Sequence, residues 1–577
     1  MVGSSVRIAA DLDLDAAARQ SFGPSFDRPG DLADALSAYW SGNLILPPHP
    51  VWDGDSTDWA ADPFQDRNWQ FQHHTLRWIN PLRWAALAGD EAARREWLRV
   101  ARSWFEANVP AESAASPFAW KDMADGNRGI QLALGAGLAS SEDAWFVELL
   151  GAHRHWLMDD KHIVGKNHGL HQHAGLFVLG AVLRDEDAVA MAMARMTAQF
   201  TTTFDDQGCN DEGSTAYHQL NLRWWSQAWK RVELEGYRPP GDVVRRLASA
   251  GVVLAHLAQP DGRLPQIGDS ARGSVVAGLG SATDFVATHG ARGALPEATT
   301  LVLDGGYVLS RSGWGEHRPL ADESHMVLRH GHDVRAHSHH DLGSLHIYAA
   351  GRPWLVDSGF HSYQTGDPTQ KHLHSRHAHN VALLPDRAYD LGAHVELERA
   401  QVSDSVHDFV TIDPGYTGAT LRRRVLYLVG PDCWIVWDTA DGETDPRLQQ
   451  NWHVDSGLTA RRHDRGFTMR DKGRSLSLSW LGANPKLQRH SAQEGHLRGW
   501  IGTRWKTLAP GTLITAETHT PARGLALLIA PSTDQPLGIV ESYVSTKGVL
   551  TATLTRGERA WSVRVDSTSG VDITPFP

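Results

Sequence analysis

Cysteine is scarce in this chain of 577 residues: there are two, Cys209 and Cys433, and they lie far apart in the sequence. Two such separated thiols exclude a disulfide framework and a metal site built on a Cys-x-x-Cys pair. They are typical of a protein that keeps free thiols in a reducing compartment.

Basic runs and long apolar runs are missing as well. Residues 1–15 have neither the basic start nor the apolar segment of a signal peptide, and no stretch of about 18 apolar residues could span a membrane. A net charge of −12 and a pI near 6.2 argue against a nucleic-acid partner. We therefore expect a cytoplasmic protein without a membrane or nucleic-acid partner, and we leave open whether it forms a homo-oligomer.

The first half of the chain has the apolar periodicity of helices. Between Asp90 and Val109, for example, Trp97, Ala101 and Trp104 recur at the spacing of one helix face. Similar stripes occur in residues 145–156, 188–200, 220–235 and 243–258. Many successive helices with short polar connections predict a helical toroid or bundle.

The second half changes to short strands separated by turns. A strand is predicted at residues 305–309, and hairpins are predicted at 425–437 and 551–565. Regular short strands of this kind favour a large β-sandwich. We place the boundary within 288–298, which predicts an α+β protein with a helical domain at residues 1–292 and a β-sandwich domain at 293–577.

Eleven of the 32 histidines fall between His330 and His379. They include the run His337-Ser338-His339-His340-Asp341 and, later, His377-Ala378-His379-Asn380, with Asp357 between these runs. Imidazoles separated by one residue, together with a carboxylate on a neighbouring segment, form the donor set of a closed metal site. Imidazoles that bind no metal could transfer protons near neutral pH.

The helical half contributes two further candidate segments. Asn167 and His168 precede a helical stretch, where an amide beside an imidazole could bind a carboxylate and move a proton, or could simply cap the helix. Tyr217 lies in the segment 211–218. A phenol is a poor acid or base unless its surroundings shift its pKa, and cationic neighbours would favour the phenolate, so a buried structural tyrosine is the alternative.

Two other features of this half have weaker signals. Gln72 and Arg128 could recognise sugar hydroxyls or a uronate carboxylate, although Arg128 could equally form an ion pair between helices. The tripeptide Gly268-Asp269-Ser270 is typical of a turn with a structural role.

Six segments, in this order, resemble the heparinase II/III-type polysaccharide lyases, a superfamily that includes the oligoalginate lyases. Two departures are visible: Ser338 stands where glycine is usual, and His361 stands where an aromatic hydroxylic residue is common, with Tyr363 two positions later. The matching segments are 167–168, 212–218, 268–270, 337–341, 351–359 and 377–380. Beyond residue 381 the resemblance is limited to strand-rich character.

The resemblance implies a fold, a metal and a reaction. The fold is an incomplete α/α toroid followed by an antiparallel β-sandwich, and the metal is a structural zinc ion in the sandwich. The reaction is that of a carbon–oxygen lyase, β-elimination at a uronic acid in an acidic oligosaccharide or polysaccharide. The implied zinc ligands are His339, Asp357 and His379. The implied catalytic residues are Tyr217, His168, Asn167 and His337, and the implied substrate-binding residues are Gln72, Arg128, Glu212 and Tyr363.

Because a cytoplasmic lyase would meet imported oligosaccharides, we expect exolytic cleavage that leaves a 4,5-unsaturated uronate end. Two other hypotheses remain: a metal-dependent glycan hydrolase, in which the metal activates water, and a carbohydrate-binding protein without catalysis. The sequence shows no cluster of arginine or lysine for sulfate, which favours an unsulfated uronate. It does not identify the polymer, nor does it decide whether His168 or Tyr217 is the base. His361, His372, His374 and His377 are interpreted as a solvated loop or as substrate contacts, and the solvated loop is favoured.

Overall fold

The computed structural model describes residues 12–20, 22, 25–140, 143–332, 335–364, 366–442, 446–482, 484–518, 524–545, 548–566 and 570–576. The segment used for the signal-peptide prediction therefore lies largely outside the described residues. The chain divides into two compact units. The first comprises Met1–Thr203 and Arg223–Arg245, and the second comprises Phe204–Leu222 and Arg246–Pro577.

The first unit is helical. Helix α8 packs against α6 and α9. The helices that begin in this unit or pass through it are α1 (Leu14–Ala18), α2 (Leu32–Trp40), α3 (Arg67–His74), α4 (Asn80–Leu87), α5 (Glu91–Asn108), α6 (Met123–Leu134), α7 (Ala144–Met158), α8 (Lys166–Val182), α9 (Glu186–Thr203), α10 (Thr215–Leu234) and α11 (Gly241–Leu257).

Helix α5 shows how local sequence determines these elements. Its N-cap, Asp90, accepts hydrogen bonds from the backbone N–H groups of Ala92 and Ala93, which satisfies two donors that a helix start leaves open. The stripe of Trp97, Ala101 and Trp104 is completely buried. The predicted helix is confirmed within one residue at each end, because capping and periodicity are both local signals.

The second unit is dominated by antiparallel strands. Two nine-stranded sheets enclose one large apolar core, to which Trp354, Trp434, Trp452 and Trp480 contribute. A four-stranded sheet covers the outer face of one of them through a second core. The short helices α12 (Ser281–Ala287) and α13 (Pro368–His374) also belong to this unit.

Strands β1 to β26 are numbered in chain order. The first sheet has the order β15-β16-β17-β22-β13-β12-β11-β10-β6, the second has β18-β21-β14-β8-β7-β5-β4-β3 with β9 added to β14, and the four-stranded sheet has β23-β24-β25-β26. The bounds are β1 (Arg263–Leu264), β2 (Gly273–Ser274), β3 (Thr300–Leu303), β4 (Tyr307–Arg311), β5 (His325–Arg329), β6 (Gly331–His332), β7 (Leu345–Ala349), β8 (Arg352–Leu355), β9 (Ala382–Leu383), β10 (His394–Val402), β11 (Val406–Asp413), β12 (Ala419–Leu428), β13 (Cys433–Gly442), β14 (Leu448–Val454), β15 (Ala460–His463), β16 (Gly466–Asp471), β17 (Arg474–Leu481), β18 (Lys486–Ser491), β19 (Trp500–Arg504), β20 (Thr507–Pro510), β21 (Thr512–Thr518), β22 (Leu525–Ser532), β23 (Gly538–Val544), β24 (Val549–Arg556), β25 (Arg559–Asp566) and β26 (Val571–Phe576).

Both predicted hairpins are present, as β12–β13 and β24–β25. The predicted fold class, an incomplete α/α toroid followed by an antiparallel β-sandwich, is confirmed. Among the described residues, no helix is both long enough and apolar enough to cross a membrane.

Candidate active site

A single buried carboxylate organises the histidine-rich region of the second unit. Asp269 Oδ2 lies 2.9 Å from His337 Nδ1, and its Oδ1 lies 3.1 Å from His339 Nε2 and 3.2 Å from His374 Nε2. Burial alone would raise the pKa of Asp269, but hydrogen bonds from the three imidazoles hold that pKa well below its usual range. Asp269 is therefore a fixed negative charge that orients three rings.

The backbone around Asp269 connects three segments of the chain. The Asp269 N–H donates to the carbonyl of His337 at 2.9 Å, and the His337 N–H donates to the carbonyl of Glu212 at 3.0 Å. Gly268 makes this approach possible: its φ is +63°, and an added Cβ would lie 2.4 Å from the His337 carbonyl oxygen. The close approach of this turn to the His337 backbone therefore requires glycine at position 268.

Tyr217 stacks directly on His337. The ring centroids are 3.5 Å apart with an interplanar angle of 9°. Tyr217 lies in the first turn of helix α10, where Ser270 Oγ accepts a hydrogen bond from the Ala216 N–H at 3.0 Å. The Asp269 turn therefore positions both members of the stacked pair, one through its carboxylate and one through the start of the helix.

The Tyr217 hydroxyl lies 2.8 Å from the hydroxyl of Tyr363. Burial, the Tyr363 hydroxyl and the carboxylates of Asp269 and Glu212 all raise the pKa of Tyr217 above the ordinary value of a phenol. The charged groups of this unit that shift the pKa of Tyr217 are thus carboxylates, not the cations that would favour a phenolate. Tyr217 holds its proton at neutral pH and is suited to donate it.

Two predicted substrate-binding residues belong to this same group. The Glu212 side chain is buried, with Oε2 3.5 Å from His337 Nε2. Tyr363 is 50% exposed and presents its ring to solvent beside the Tyr217 hydroxyl. The structure therefore brings together Tyr217, His337, Glu212 and Tyr363, whose functional roles remain predictions.

The three predicted metal ligands also meet. One donor atom from each of His339, Asp357 and His379 lies within 4.8 Å of the other two, and all three side chains are buried. His379 Nδ1 is 2.8 Å from Asp357 Oδ2. His339 Nδ1 is buried and has no hydrogen-bond partner among the described residues. Two imidazoles, one of which has an unsatisfied ring nitrogen, and one carboxylate are ligands that fit a zinc ion.

His339 also belongs to a second group with Asp269 and His374 whose donor atoms satisfy the same distance limit. This histidine therefore connects the candidate metal site to the Asp269 cluster. His374 ends helix α13 and is 26% exposed at its side chain. For this residue the solvated-loop interpretation is wrong, because its ring is held against a buried carboxylate.

The remaining predicted residues lie in the first unit. Asn167 is buried in the first turn of helix α8. His168 Nδ1 is 2.6 Å from Asp122 Oδ1, and Asp122 caps helix α6 through the Met123 N–H. Gln72 donates to the Pro47 carbonyl at 2.9 Å. Their assignment to catalysis or substrate binding remains a prediction.

The Arg128 side chain is completely buried in the helical unit. Its Nε donates to His153 Nε2 at 2.7 Å, and one terminal nitrogen donates to the carbonyl of His74 at 2.8 Å. The guanidinium lies 3.7 Å from the centroid of the Trp104 ring. Burial lowers the pKa of Arg128 to about 9, with Asp125 opposing the shift. The predicted contact between Arg128 and a substrate carboxylate remains a prediction.

The sequence does not single out Asp269 as a site residue, and it leaves His374 between a solvated loop and a substrate contact. The sequence indicates only a turn at Asp269, since one carboxylate about 70 residues before the histidine cluster has no spacing signal. A usable signal existed nonetheless: buried imidazoles need acceptors that fix their orientation. A chain with so many clustered histidines therefore requires carboxylates from elsewhere.

Two family models match this chain. The model described as "Heparinase II/III N-terminus" matches residues 33–290, and the model described as "Heparinase II/III-like, C-terminal" matches residues 295–536. The chain belongs to the heparinase II/III family. Its members are polysaccharide lyases, and the enzyme class predicted from the sequence, a carbon–oxygen lyase acting on polysaccharides, is confirmed.

Solved structures of low sequence identity share the fold. A mutant of the heparan sulfate lyase HepC from Pedobacter heparinus is 18% identical, with a TM-score of 0.76 over 96% of this chain and 94% of that one. A structure described as heparinase III is 15% identical, with a TM-score of 0.76 over 98% and 94%. A chondroitin AC lyase from Streptomyces coelicolor A3 is 11% identical, with a TM-score of 0.54 over 97% and 94%. No curated protein sequence is similar enough to count as a match.

The Asp269 turn gives a stability prediction. Gly268→Ala should destabilise the lyase by at least about 1–2 kcal/mol, because an alanine in the left-handed region is strained and its Cβ would meet backbone oxygens. Thermal and denaturant unfolding measure this effect. The control is Gly273→Ala, where φ is not positive and no atom lies within 4 Å of the added Cβ. Equal stability of the two variants would contradict the proposed constraint.

Proposed function

We propose that this lyase cleaves uronate-containing acidic oligosaccharides by β-elimination, with Tyr217 as the proton donor to the leaving oxygen. The observation that carries the proposal is the stacked pair of Tyr217 and His337, centred 3.5 Å apart and fixed by Asp269. Three segments of the chain converge to place a phenol and an oriented imidazole side by side. This is the arrangement that an acid and its charge-stabilising partner need.

The chemistry begins with a weakly acidic proton. At C5 of a uronate, the adjacent carboxylate is already negative, so removing the C5 proton requires that this charge be neutralised. His337 is the neutralising group in the second unit, and Asn167 is assigned the same role from the first. Asp269 holds Nδ1 of His337, and the other ring nitrogen, Nε2, which lies 3.5 Å from Glu212 Oε2, is assigned to the substrate.

The electrons of the C5–H bond form the C4–C5 double bond, and the bond from C4 to the glycosidic oxygen breaks. The leaving oxygen takes a proton from Tyr217, and no water is consumed. Because the surroundings of Tyr217 raise its pKa, the phenol enters the reaction protonated. His168 is proposed to remove the C5 proton, because a protonated phenol cannot accept it.

Tyr217 gives the most direct test of the catalytic assignment. Tyr217→Phe should lower the rate of unsaturated-uronate formation by at least about a hundredfold, because acid catalysis contributes on the order of 10²–10⁴. The assay is the ultraviolet absorbance of the unsaturated uronate, with a panel of uronate oligosaccharides. Tyr543→Phe is the matched control, since Tyr543 is exposed on strand β23. Undiminished formation of the unsaturated product by Tyr217→Phe would refute the assignment.

A structural zinc ion bound by His339, Asp357 and His379 is part of the same proposal. When bound, zinc would crosslink the segment that contains His337 to the strand and helix regions that contain Asp357 and His379. The donor set and the unsatisfied His339 Nδ1 support this assignment. The residues themselves carry out the proton transfers.

Metal analysis tests the zinc site independently of activity. The purified protein should contain about one zinc ion per chain, because two buried imidazoles and one buried carboxylate are ligands that zinc prefers. His339→Ala and Asp357→Ala should lose the zinc and unfold at a lower temperature. His332→Ala, which removes an exposed imidazole, should retain it. Full zinc content in the ligand variants would rule out these ligands.

The substrate class is proposed from the chemistry of the cluster and from the family. The structures compared above are described as lyases of heparan sulfate and of chondroitin, and both names denote acidic polysaccharides. We propose an acidic oligosaccharide as the substrate of this chain also, in a cytoplasmic setting. Cleavage is then exolytic and releases a 4,5-unsaturated uronate from the chain end.

A time course of products tests the mode of cleavage. Exolytic action should release the smallest unsaturated product from the first minutes, while the remaining chains shorten gradually. Size-exclusion chromatography with mass spectrometry follows both populations. Early accumulation of intermediate-length products would show endolytic cleavage and would contradict this part of the proposal.

A further inference from the structure

The turn of the β19–β20 hairpin lies beside the candidate active site. The Gly502 N–H donates to the Ser358 carbonyl at 2.7 Å, and the Lys506 N–H donates to the His361 carbonyl at 2.8 Å. Gly359 and Gly502 also form an isolated bridge. The hairpin is therefore fixed by backbone hydrogen bonds to the segment that carries Tyr363. This part of the chain lies outside the segments that suggested the function.

Trp505 occupies the turn of this hairpin. Its half-buried ring lies 5.5 Å from the ring of Tyr363 and 5.9 Å from that of Phe360, measured between centroids. Tyr363 in turn reaches the Tyr217 hydroxyl at 2.8 Å. An unbroken series of contacts thus runs from the proposed proton donor through Tyr363 to Trp505.

Two cations flank this tryptophan. Arg504 and Lys506 are exposed, and neither has an ion-pair partner among the residues that the structure describes. Lys506 Nζ lies 5.9 Å from the centroid of the Trp505 ring. In a chain with 67 acidic and 55 basic residues, two adjacent cations without carboxylate partners create a local positive surface. Such a surface attracts an anionic ligand over roughly one Debye length, about 10 Å.

We propose that Arg504, Trp505 and Lys506 form a subsite for the sugar next to the uronate that is cleaved. The flat indole packs against the apolar face of a pyranose ring, and the two cations pair with a carboxylate of the acidic chain. The location of the cleaved uronate rests on the proposed function. The binding of an acidic oligosaccharide by this hairpin does not depend on the chemistry at Tyr217.

The contacts favour this role over simple packing. A tryptophan that served only the core would be fully buried, as Trp354 and Trp452 are. Trp505 instead lies on a turn, partly open to solvent, where its aromatic neighbours Tyr363 and Phe360 hold its plane. A rigid aromatic with few rotatable bonds loses little entropy on binding, which makes it an effective contact for a sugar.

Equilibrium binding to a catalytically inactive background tests the proposal. The probes are tetrasaccharides from heparan sulfate, hyaluronan and alginate, measured by calorimetry with Tyr217→Phe. Adding Trp505→Ala should weaken the tightest of the three complexes about three- to tenfold, the range expected for the loss of one aromatic contact. Unchanged affinity, or no binding of any of the three probes to the Tyr217→Phe protein, would overturn the subsite.

The charges are tested separately with a matched pair of variants. Arg504→Gln with Lys506→Gln should weaken binding and reduce its dependence on salt, because two screened attractions are lost. Arg470→Gln with Lys472→Gln makes the same charge change at two exposed residues near the turn of the β16–β17 hairpin and should leave the affinity unchanged. Equal losses in the two double variants would indicate a nonspecific effect of net charge and would refute the local assignment.

A second substitution covers the case in which the alanine variant does not fold. Trp505→Leu retains apolar volume against Tyr363 but removes the flat ring, so it should fold and still bind weakly. Native-like affinity of this variant would contradict stacking. Failure of the proposed function has a different signature: Tyr217→Phe would then keep forming unsaturated product, while the affinity loss at Trp505 would persist.

Discussion

The arrangement of the second unit depends on one buried carboxylate that fixes three imidazoles. Each imidazole must direct one particular ring nitrogen toward its partner. A buried carboxylate that binds the other ring nitrogen fixes this orientation. Asp269 does this for His337, His339 and His374. Because His337 stacks on Tyr217 and His339 belongs to the candidate zinc group, a change at Asp269 would affect the proposed proton transfer and the metal site together.

Negative charge near the site has to be reconciled with an anionic substrate. Glu212 and Asp269 lie close to Tyr217, and both contact His337. They are buried, and each lies close to one ring nitrogen of His337, the group assigned to the uronate carboxylate. The same carboxylates raise the pKa of Tyr217, which keeps its proton available. The acidic groups therefore keep Tyr217 protonated at the cost of some attraction for the substrate.

The sequence predicted the elements whose signals are local. Helix α5 and the β12–β13 hairpin were anticipated because capping, periodicity and turn residues all lie within the element itself. The motifs also named Tyr217, His337, Glu212 and Tyr363, and the three metal ligands, which the structure brings together as two groups. Asp269 and Trp505 could not be predicted in the same way, because their importance comes from pairing with residues about 70 and 140 positions away along the chain.

The central claim is that the bond is broken by elimination, without water. The most direct measurement is product analysis by mass spectrometry after digestion of a uronate oligosaccharide. Elimination predicts products that absorb in the ultraviolet and whose masses sum to the mass of the substrate. Saturated products whose summed mass exceeds that of the substrate by one water would show hydrolysis and would contradict the account.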